Sequence, residues 1–154
     1  MGEISASFGE LELALAEEKG VTTKKKISDF SLNNLKKAMK HADLALSTAL
    51  KQKYPFGEAQ ALQLQARIYG KICLVPGFEN LQQPARNNFI KALQIFQNLK
   101  QSYKHAVVNY FYAQYLMSVG DRLSAQKLLK DSKNYFTKIG NAEYVKRIEK
   151  LETV

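Results

Sequence analysis

Apolar residues recur at spacings of three and four along almost the whole chain, and no segment shows the strict alternation of a half-buried strand. This is the spacing of an amphipathic helix, so we predict an all-α fold. Glycine and proline residues interrupt the pattern and set the limits of the predicted helices. These cover residues 8–19, 30–53, 57–73, 84–101, 104–118, 123–139 and 142–152.

Two of the predicted helices distribute their apolar residues differently. Within 30–53 the apolar residues follow one stripe, which consists of Leu32, Leu35, Met39, Ala42, Leu46 and Ala49. Within 104–118 large apolar and aromatic residues surround the helix, which is typical of a helix packed between neighbours. We therefore predict that 104–118 lies at the centre of the core.

The chain also repeats itself, which distinguishes a helical repeat from a plain up-down bundle. A pattern of small and large apolar positions begins at Ala38, recurs 47 residues later at Ala85, and recurs after 40 more residues at Ala125. The aligned sets are Ala38, Ala42, Ala45 and Leu46; Ala85, Phe89, Ala92 and Leu93; and Ala125, Leu129, Ser132 and Lys133. The preceding helices align as well, since Ala66 matches Ala113. One hairpin carries an insertion, which we place around residues 72–83.

The repeated segments resemble tetratricopeptide repeats. Ala85-Arg-Asn-Asn-Phe89-Ile-Lys-Ala92-Leu93 is similar to the second helix of that repeat, Gly120-Asp121 before Ala125 to its inter-helix turn, and Ala66 with Tyr69 to its first helix. The resemblance covers about residues 31–139, with a period of about 40 residues instead of 34. Departures are Ser132 and Lys133 in place of an Ala-Leu pair, and Asn109 where a large apolar residue is usual.

The resemblance implies a fold and a domain organisation. We expect a right-handed superhelix of about three antiparallel helical hairpins, forming a single domain over residues 1–154. Residues 1–30 would hold an irregular first helix and a lysine-rich connection, and residues 31–139 the repeats. Residues 141–154 would form a capping helix, whose buried stripe is Val145, Ile148 and Leu151.

The resemblance also implies a binding groove, because the first helix of each hairpin lines a concave surface in this family. The stripes that correspond are Gln60, Gln63, Arg67 and Lys71, and, 47 residues later, Val107, Tyr110, Gln114 and Ser118. Arg67 can hold a carboxylate with two donors, and Tyr110 offers apolar area with a hydroxyl. We expect a protein partner that presents an acidic or amphipathic segment. The stripe could instead face water or pack against the helix predicted over 8–19.

Charge adds a second candidate surface. The chain has a net charge of +9, and residues 21–53 carry eight lysines against Asp29 and Asp43. The predicted basic surface consists of Lys24, Lys25, Lys26, Lys36, Lys37 and Lys40. A solvated helix face is the simpler interpretation, and nucleic-acid binding is the alternative function. We rank nucleic acid below protein, because aromatic residues lie in apolar stripes and are not interleaved with the lysines.

Catalytic chemistry has little support in the sequence. Phosphate-loop, dinucleotide, zinc-protease and nucleophile-elbow motifs are absent. Cys73 is expected to be a structural thiol, and His41 and His105 surface residues, so we predict no enzyme, no cofactor and no metal site. An acidic amino terminus and the lack of a long apolar stretch predict a cytoplasmic protein without a membrane span. A homodimer through exposed repeat ends, or a regulatory fragment of a larger signalling protein, stays open.

Overall fold

The computed structural model describes residues 29–154, with side chains from Ser31 onward. The helix predicted over 8–19 and the lysines Lys24, Lys25 and Lys26 lie outside this range. The described residues form six α-helices and a short 3-10 turn at Glu79–Leu81. The helices are α1 (Asp29–Lys51), α2 (Pro55–Ile72), α3 (Gln82–Asn98), α4 (Ser102–Ser118), α5 (Arg122–Lys138) and α6 (Ala142–Glu152). Between residues 29 and 154 no strand occurs, which confirms the all-α prediction for this part of the chain.

The predicted helix starts are wrong by two residues at two prolines. Pro55 was expected to separate two helices, yet it is the first residue of α2. Proline fits there because the first turn of a helix leaves its N–H groups without intrahelical partners. Pro84 was expected to begin a helix but is the third residue of α3, because the 3-10 turn runs directly into that helix. The limits of α6 agree with the prediction.

Four of the connections share one conformation. Each has three residues, and the central one adopts a positive φ: Lys53 at 53°, Lys100 at 56°, Gly120 at 88° and Gly140 at 75°. The N–H of this residue donates to the carbonyl three residues back, and the next N–H donates to the carbonyl five residues back. This Schellman arrangement satisfies the last carbonyls of the helix. The sequence marks Gly120 and Gly140 as turns, but nothing distinguishes Lys53 and Lys100.

The connection between α2 and α3 is longer and coincides with the predicted insertion. It covers Cys73–Leu81, where Gly77 has a φ of 93°. The Glu79 carboxylate accepts the Gly77 N–H at 3.0 Å, and hydrogen bonds from the Gly77 and Glu79 backbone lower the pKa of Glu79. Phe78 and Leu81 pack against buried residues of α1 and α2. The insertion therefore contributes apolar side chains to the core.

The helices form two compact units that divide between Ile95 and Phe96. In unit 1, described from residue 29, α1 packs on α2 around Leu35, Leu64 and Ile68. In unit 2, α4 packs on α5 and α5 packs on α6. The expectation of a single repeat domain stays a prediction.

Burial recurs at the offsets that the sequence repeat predicts. The first three members of each aligned set are at most 3% exposed: Ala38, Ala42 and Ala45 in α1; Ala85, Phe89 and Ala92 in α3; and Ala125, Leu129 and Ser132 in α5. The fourth members, Leu46, Leu93 and Lys133, are only half-buried, and the buried position lies three residues further on, at Ala49, Phe96 and Phe136. Ser132 departs from the usual alanine, yet it is fully buried and its hydroxyl donates to the Ala106 carbonyl at 2.9 Å. A small residue is retained at this helix contact, and its polar atom is satisfied.

Candidate functional site

The predicted stripe on α2 is only partly accessible. Gln60, Arg67 and Lys71 are half-buried, whereas Gln63 is buried. The surrounding α2 residues, among them Ala59, Leu64 and Ile68, are buried on several sides of the helix. The stripe is therefore a narrow polar strip along a largely enclosed helix, with two cations at its carboxyl-terminal end.

A polar relay that sequence reasoning missed lies beside this strip. The buried Gln65 donates from Nε2 to Asp43 Oδ1 of α1 at 2.7 Å, and its Oε1 accepts from Asn88 Nδ2 of α3 at 3.1 Å. One amide thus links α2 to both neighbouring helices. Burial, and secondarily the charge of Asp43, raises the pKa of the nearby Tyr69 phenol. The signal available in the sequence was a third glutamine, after Gln60 and Gln63, between the apolar residues Leu64 and Ala66.

The corresponding stripe on α4 is less accessible. Val107 and Tyr110 are each only 8% exposed, whereas Gln114 and Ser118 are half-buried. The Tyr110 ring meets the Tyr144 ring of α6 edge to face, with centroids 5.8 Å apart. The Ser118 hydroxyl donates to the Tyr115 carbonyl of its own helix at 2.6 Å. Tyr110 therefore contributes to packing within unit 2.

The lysines of α1 form an exposed basic face. Lys36, Lys37 and Lys40 are all exposed, and His41 beside them is half-buried. This face agrees with the amphipathic pattern, because the opposite side of α1 carries the buried alanines. Exposed cations of this kind can contact any anionic surface but select none by geometry.

Of the residues suited to nucleophilic or acid-base chemistry, Cys73 is buried and His105 is half-buried. Burial raises the pKa of the Cys73 thiol to about 11, and its Sγ donates to the Gly70 carbonyl at 3.3 Å. A thiol with this pKa is almost entirely protonated at neutral pH, so it is a poor nucleophile. Burial lowers the pKa of His105, with Asp131 opposing the shift, and its Nδ1 lies 3.4 Å from Asn109 Nδ2. Asn109 is thus a buried partner for this histidine.

Unit 2 also contains a basic cleft, which we call the α5 cleft. It has a volume of about 430 Å³, within the range of ligand pockets. Its lining includes Arg122, Leu129, Lys130 and Lys133 of α5, Met117 of α4 and Glu152 of α6. Lys133 Nζ lies 3.3 Å from Glu152 Oε1, and Arg122 Nη2 donates to the Val154 main-chain oxygen at 2.7 Å. None of the predicted site residues lines it.

Two further observations concern residues 29–154. Within this range no group of three or more His, Cys, Asp or Glu side chains is placed to hold a metal ion. Among the six helices, none is both long and apolar enough to cross a membrane.

The chain was compared with protein-family models, with curated proteins and with solved structures. No family model, no curated protein and no solved structure matches it.

Proposed function

We propose that this chain is a tetratricopeptide-like helical repeat that binds an acidic or amphipathic segment of a partner protein, without catalysing a reaction. The observation that carries this proposal is the recurrence of the same buried positions in α1, α3 and α5 at the offsets of the sequence repeat. Repeats built from stacked helical pairs form extended surfaces, and such surfaces bind other proteins.

The chemistry of the α2 strip supports the choice of partner. Arg67 and Lys71 lie about one helical turn apart, and both are half-buried, as is Gln60 of the same stripe. A partly desolvated cation attracts a carboxylate more strongly than a fully hydrated one does. A guanidinium can also hold a carboxylate with two parallel hydrogen bonds. An acidic side chain on an extended or helical peptide matches this strip.

Charge elsewhere in the described chain agrees with an anionic partner. Unit 2 carries eight lysines and two arginines against two aspartates and three glutamates. A positive surface accelerates encounters with acidic segments and weakens as salt rises. Nucleic acid is the alternative anion, and Lys36, Lys37 and Lys40 are the exposed residues that would contact phosphates.

Selection from a random peptide library displayed on phage, with the immobilised full chain as bait, tests the proposal. We expect the enriched peptides to share acidic residues, and a synthetic copy to bind with a dissociation constant that rises with salt. Replacing an interface arginine anchor costs roughly 2 kcal/mol, or about thirtyfold in affinity. Arg67→Glu is therefore expected to weaken the selected peptide by at least that factor.

The matched control is Lys36→Glu, which makes the same charge change on the exposed face of α1. It is expected to change the affinity less than about threefold. Circular dichroism melts of both variants establish that each remains folded. Failure to enrich any peptide, or equal losses in the two variants, would contradict binding through the α2 strip.

A further inference from the structure

The α5 cleft exists because neighbouring helices of unit 2 differ in length. α5 has 17 residues and α6 has 11, so α6 is about 9 Å shorter. The two helices are antiparallel, as their contacts show. Phe136 contacts Tyr144, Lys133 contacts Glu149 and Glu152, and Arg122 contacts Val154. The amino-terminal part of α5 thus lies beyond the end of α6. Leu123, in this part of α5, is 78% exposed.

The cations of the cleft follow one face of α5. Arg122, Lys130 and Lys133 are separated by eight and three residues, which places them along one side of the helix. Lys130 has neither an ion-pair nor a hydrogen-bond partner among residues 29–154. Leu129 and Met117 contribute apolar atoms to the same cavity. The cleft therefore combines positive charge with an apolar lining.

The contacts that Lys133 and Arg122 already make indicate which groups the cleft accepts. Lys133 contacts the Glu152 carboxylate at 3.3 Å and the Glu149 carboxylate at 3.9 Å. Arg122 donates from Nη2 to the Val154 main-chain oxygen at 2.7 Å. Carboxylate and main-chain oxygens are both present in an acidic peptide. Glu152 at the end of α6 lines the cleft, so one such carboxylate already lies there.

We infer that the α5 cleft is a second binding site, which takes an acidic peptide segment of a partner protein in competition with Glu152. A ligand carboxylate pairs with Lys130 and Lys133, and a ligand carbonyl accepts a hydrogen bond from Arg122. Apolar ligand side chains lie against Leu129 and Met117. This inference rests on the proposed function, since it names a second surface for the same class of partner.

Titration of the ¹⁵N-labelled full chain with acetylated and amidated hexaglutamate tests the inference. We expect amide shift changes at Arg122, Lys130 and Lys133, and none with hexaglutamine, which has the same backbone without charge. Lys130→Glu is expected to weaken hexaglutamate at least about fivefold, as expected from reversing one exposed charge pair. Lys127→Glu, the same change on α5 outside the cleft lining, is expected to alter affinity less than about twofold.

Glu152→Gln separates competition from general charge attraction. Removal of the Glu152 carboxylate is expected to tighten hexaglutamate binding by about twofold to fivefold, whereas weaker or unchanged binding would overturn the competition.

Equal losses of hexaglutamate affinity in Lys127→Glu and Lys130→Glu would overturn a site at the cleft. Shift changes with inorganic phosphate at the same concentrations would overturn a peptide ligand. Changes confined to α2 around Arg67 would retain the proposed function and overturn this inference, and the absence of any change would count against both.

Discussion

Units 1 and 2 fill the same repeat pattern with different chemistry. At positions 47 residues apart, unit 1 has the buried glutamines Gln63 and Gln65, whereas unit 2 has Tyr110 and Tyr112. In addition to its apolar contacts, unit 1 links its helices through the amide of Gln65, which forms hydrogen bonds with Asp43 and Asn88. Gln63 and Tyr110 are both buried, whereas Tyr112 is only half-buried. The pattern therefore aligns these positions, but it leaves open how deeply each is buried and whether hydrogen bonds or rings make the contact.

Unit 2 instead joins its helices through an aromatic cluster. Phe136 of α5 stacks on Tyr144 of α6 with ring centroids 4.4 Å apart, and Tyr103 of α4 meets both rings edge to face. Aromatic pairs of this geometry stabilise beyond the area that they bury. Packed aromatic rings tolerate small displacements of the helices, whereas the hydrogen bonds of a side-chain amide require a fixed distance between donor and acceptor. The difference predicts that the two units respond differently to substitution.

The largest expected effect is in the aromatic cluster. Phe136 is fully buried, so Phe136→Ala leaves a cavity and removes the stack on Tyr144. We expect a loss of about 3–5 kcal/mol in the free energy of unfolding, measured by urea denaturation. Phe136→Leu, which retains most of the apolar volume, serves as the control with a smaller loss. A loss below about 1 kcal/mol for the alanine variant would contradict the importance of the cluster.

The relay in unit 1 gives the next largest effect. Gln65→Ala removes a charge-assisted bond to Asp43 and leaves the Asn88 amide without this partner. We expect a loss of about 2 kcal/mol in unfolding free energy. Gln83→Ala is the control, because among residues 29–154 that exposed amide donates a hydrogen bond only to Asn87 of its own helix. Its loss should stay under about 0.5 kcal/mol. Equal effects of the two substitutions would show that the relay contributes nothing.

The turns allow a smaller comparison across both units. Lys53 and Lys100 occupy a left-handed conformation that glycine adopts without a steric cost. Lys53→Gly and Lys100→Gly are each expected to raise the free energy of unfolding by about 0.5–1 kcal/mol. Gly120→Ala and Gly140→Ala should lower it by about 1 kcal/mol. Urea denaturation measures all four variants, and destabilisation by the lysine replacements would refute the steric argument.

The smallest expected effect is a change of stability with pH, which is caused by His105 of unit 2. Burial lowers the pKa of His105 below its usual 6.5, so the unfolded chain binds a proton that the folded chain resists. This contribution to stability is fully present above about pH 6.5 and is lost as the pH falls. We expect stability to fall between pH 7 and pH 5, and to fall less in His105→Gln. Denaturation midpoints between pH 7 and pH 5 measure this loss of stability. If the midpoint falls equally with pH in His105→Gln, the loss comes from another titratable group.

The helices themselves could be predicted because their information is local. Apolar spacing located each of the six described helices, and the repeat offsets located the buried positions of α1, α3 and α5. The turn conformation could be predicted at Gly120 and Gly140 but not at Lys53 and Lys100. Glycine marks a left-handed turn because it lacks a Cβ, whereas Lys53 and Lys100 are held there by the hydrogen bonds of the helix ends.

The proposed binding surfaces were harder to predict, because exposure depends on neighbours that are distant in sequence. Tyr110 lies on the predicted stripe, but the packing of α6 covers its ring with Tyr144. The α5 cleft escaped prediction because it depends on where α6 ends relative to α5, and on which side chains that end brings close. The spacing of residues along one helix gives neither the position where the neighbouring helix ends nor the side chains that this end brings close.

The sequence by itself determined the helical class, the repeat register and the net positive charge, since each follows from residue type and spacing. Only the tertiary structure decided that Gln65 bridges three helices, that Tyr110 is covered, and that Lys130 and Lys133 line a cleft. The physical reason is that periodicity fixes the direction of a side chain from its own helix axis. What that side chain meets is fixed by the length and position of the helices packed beside it.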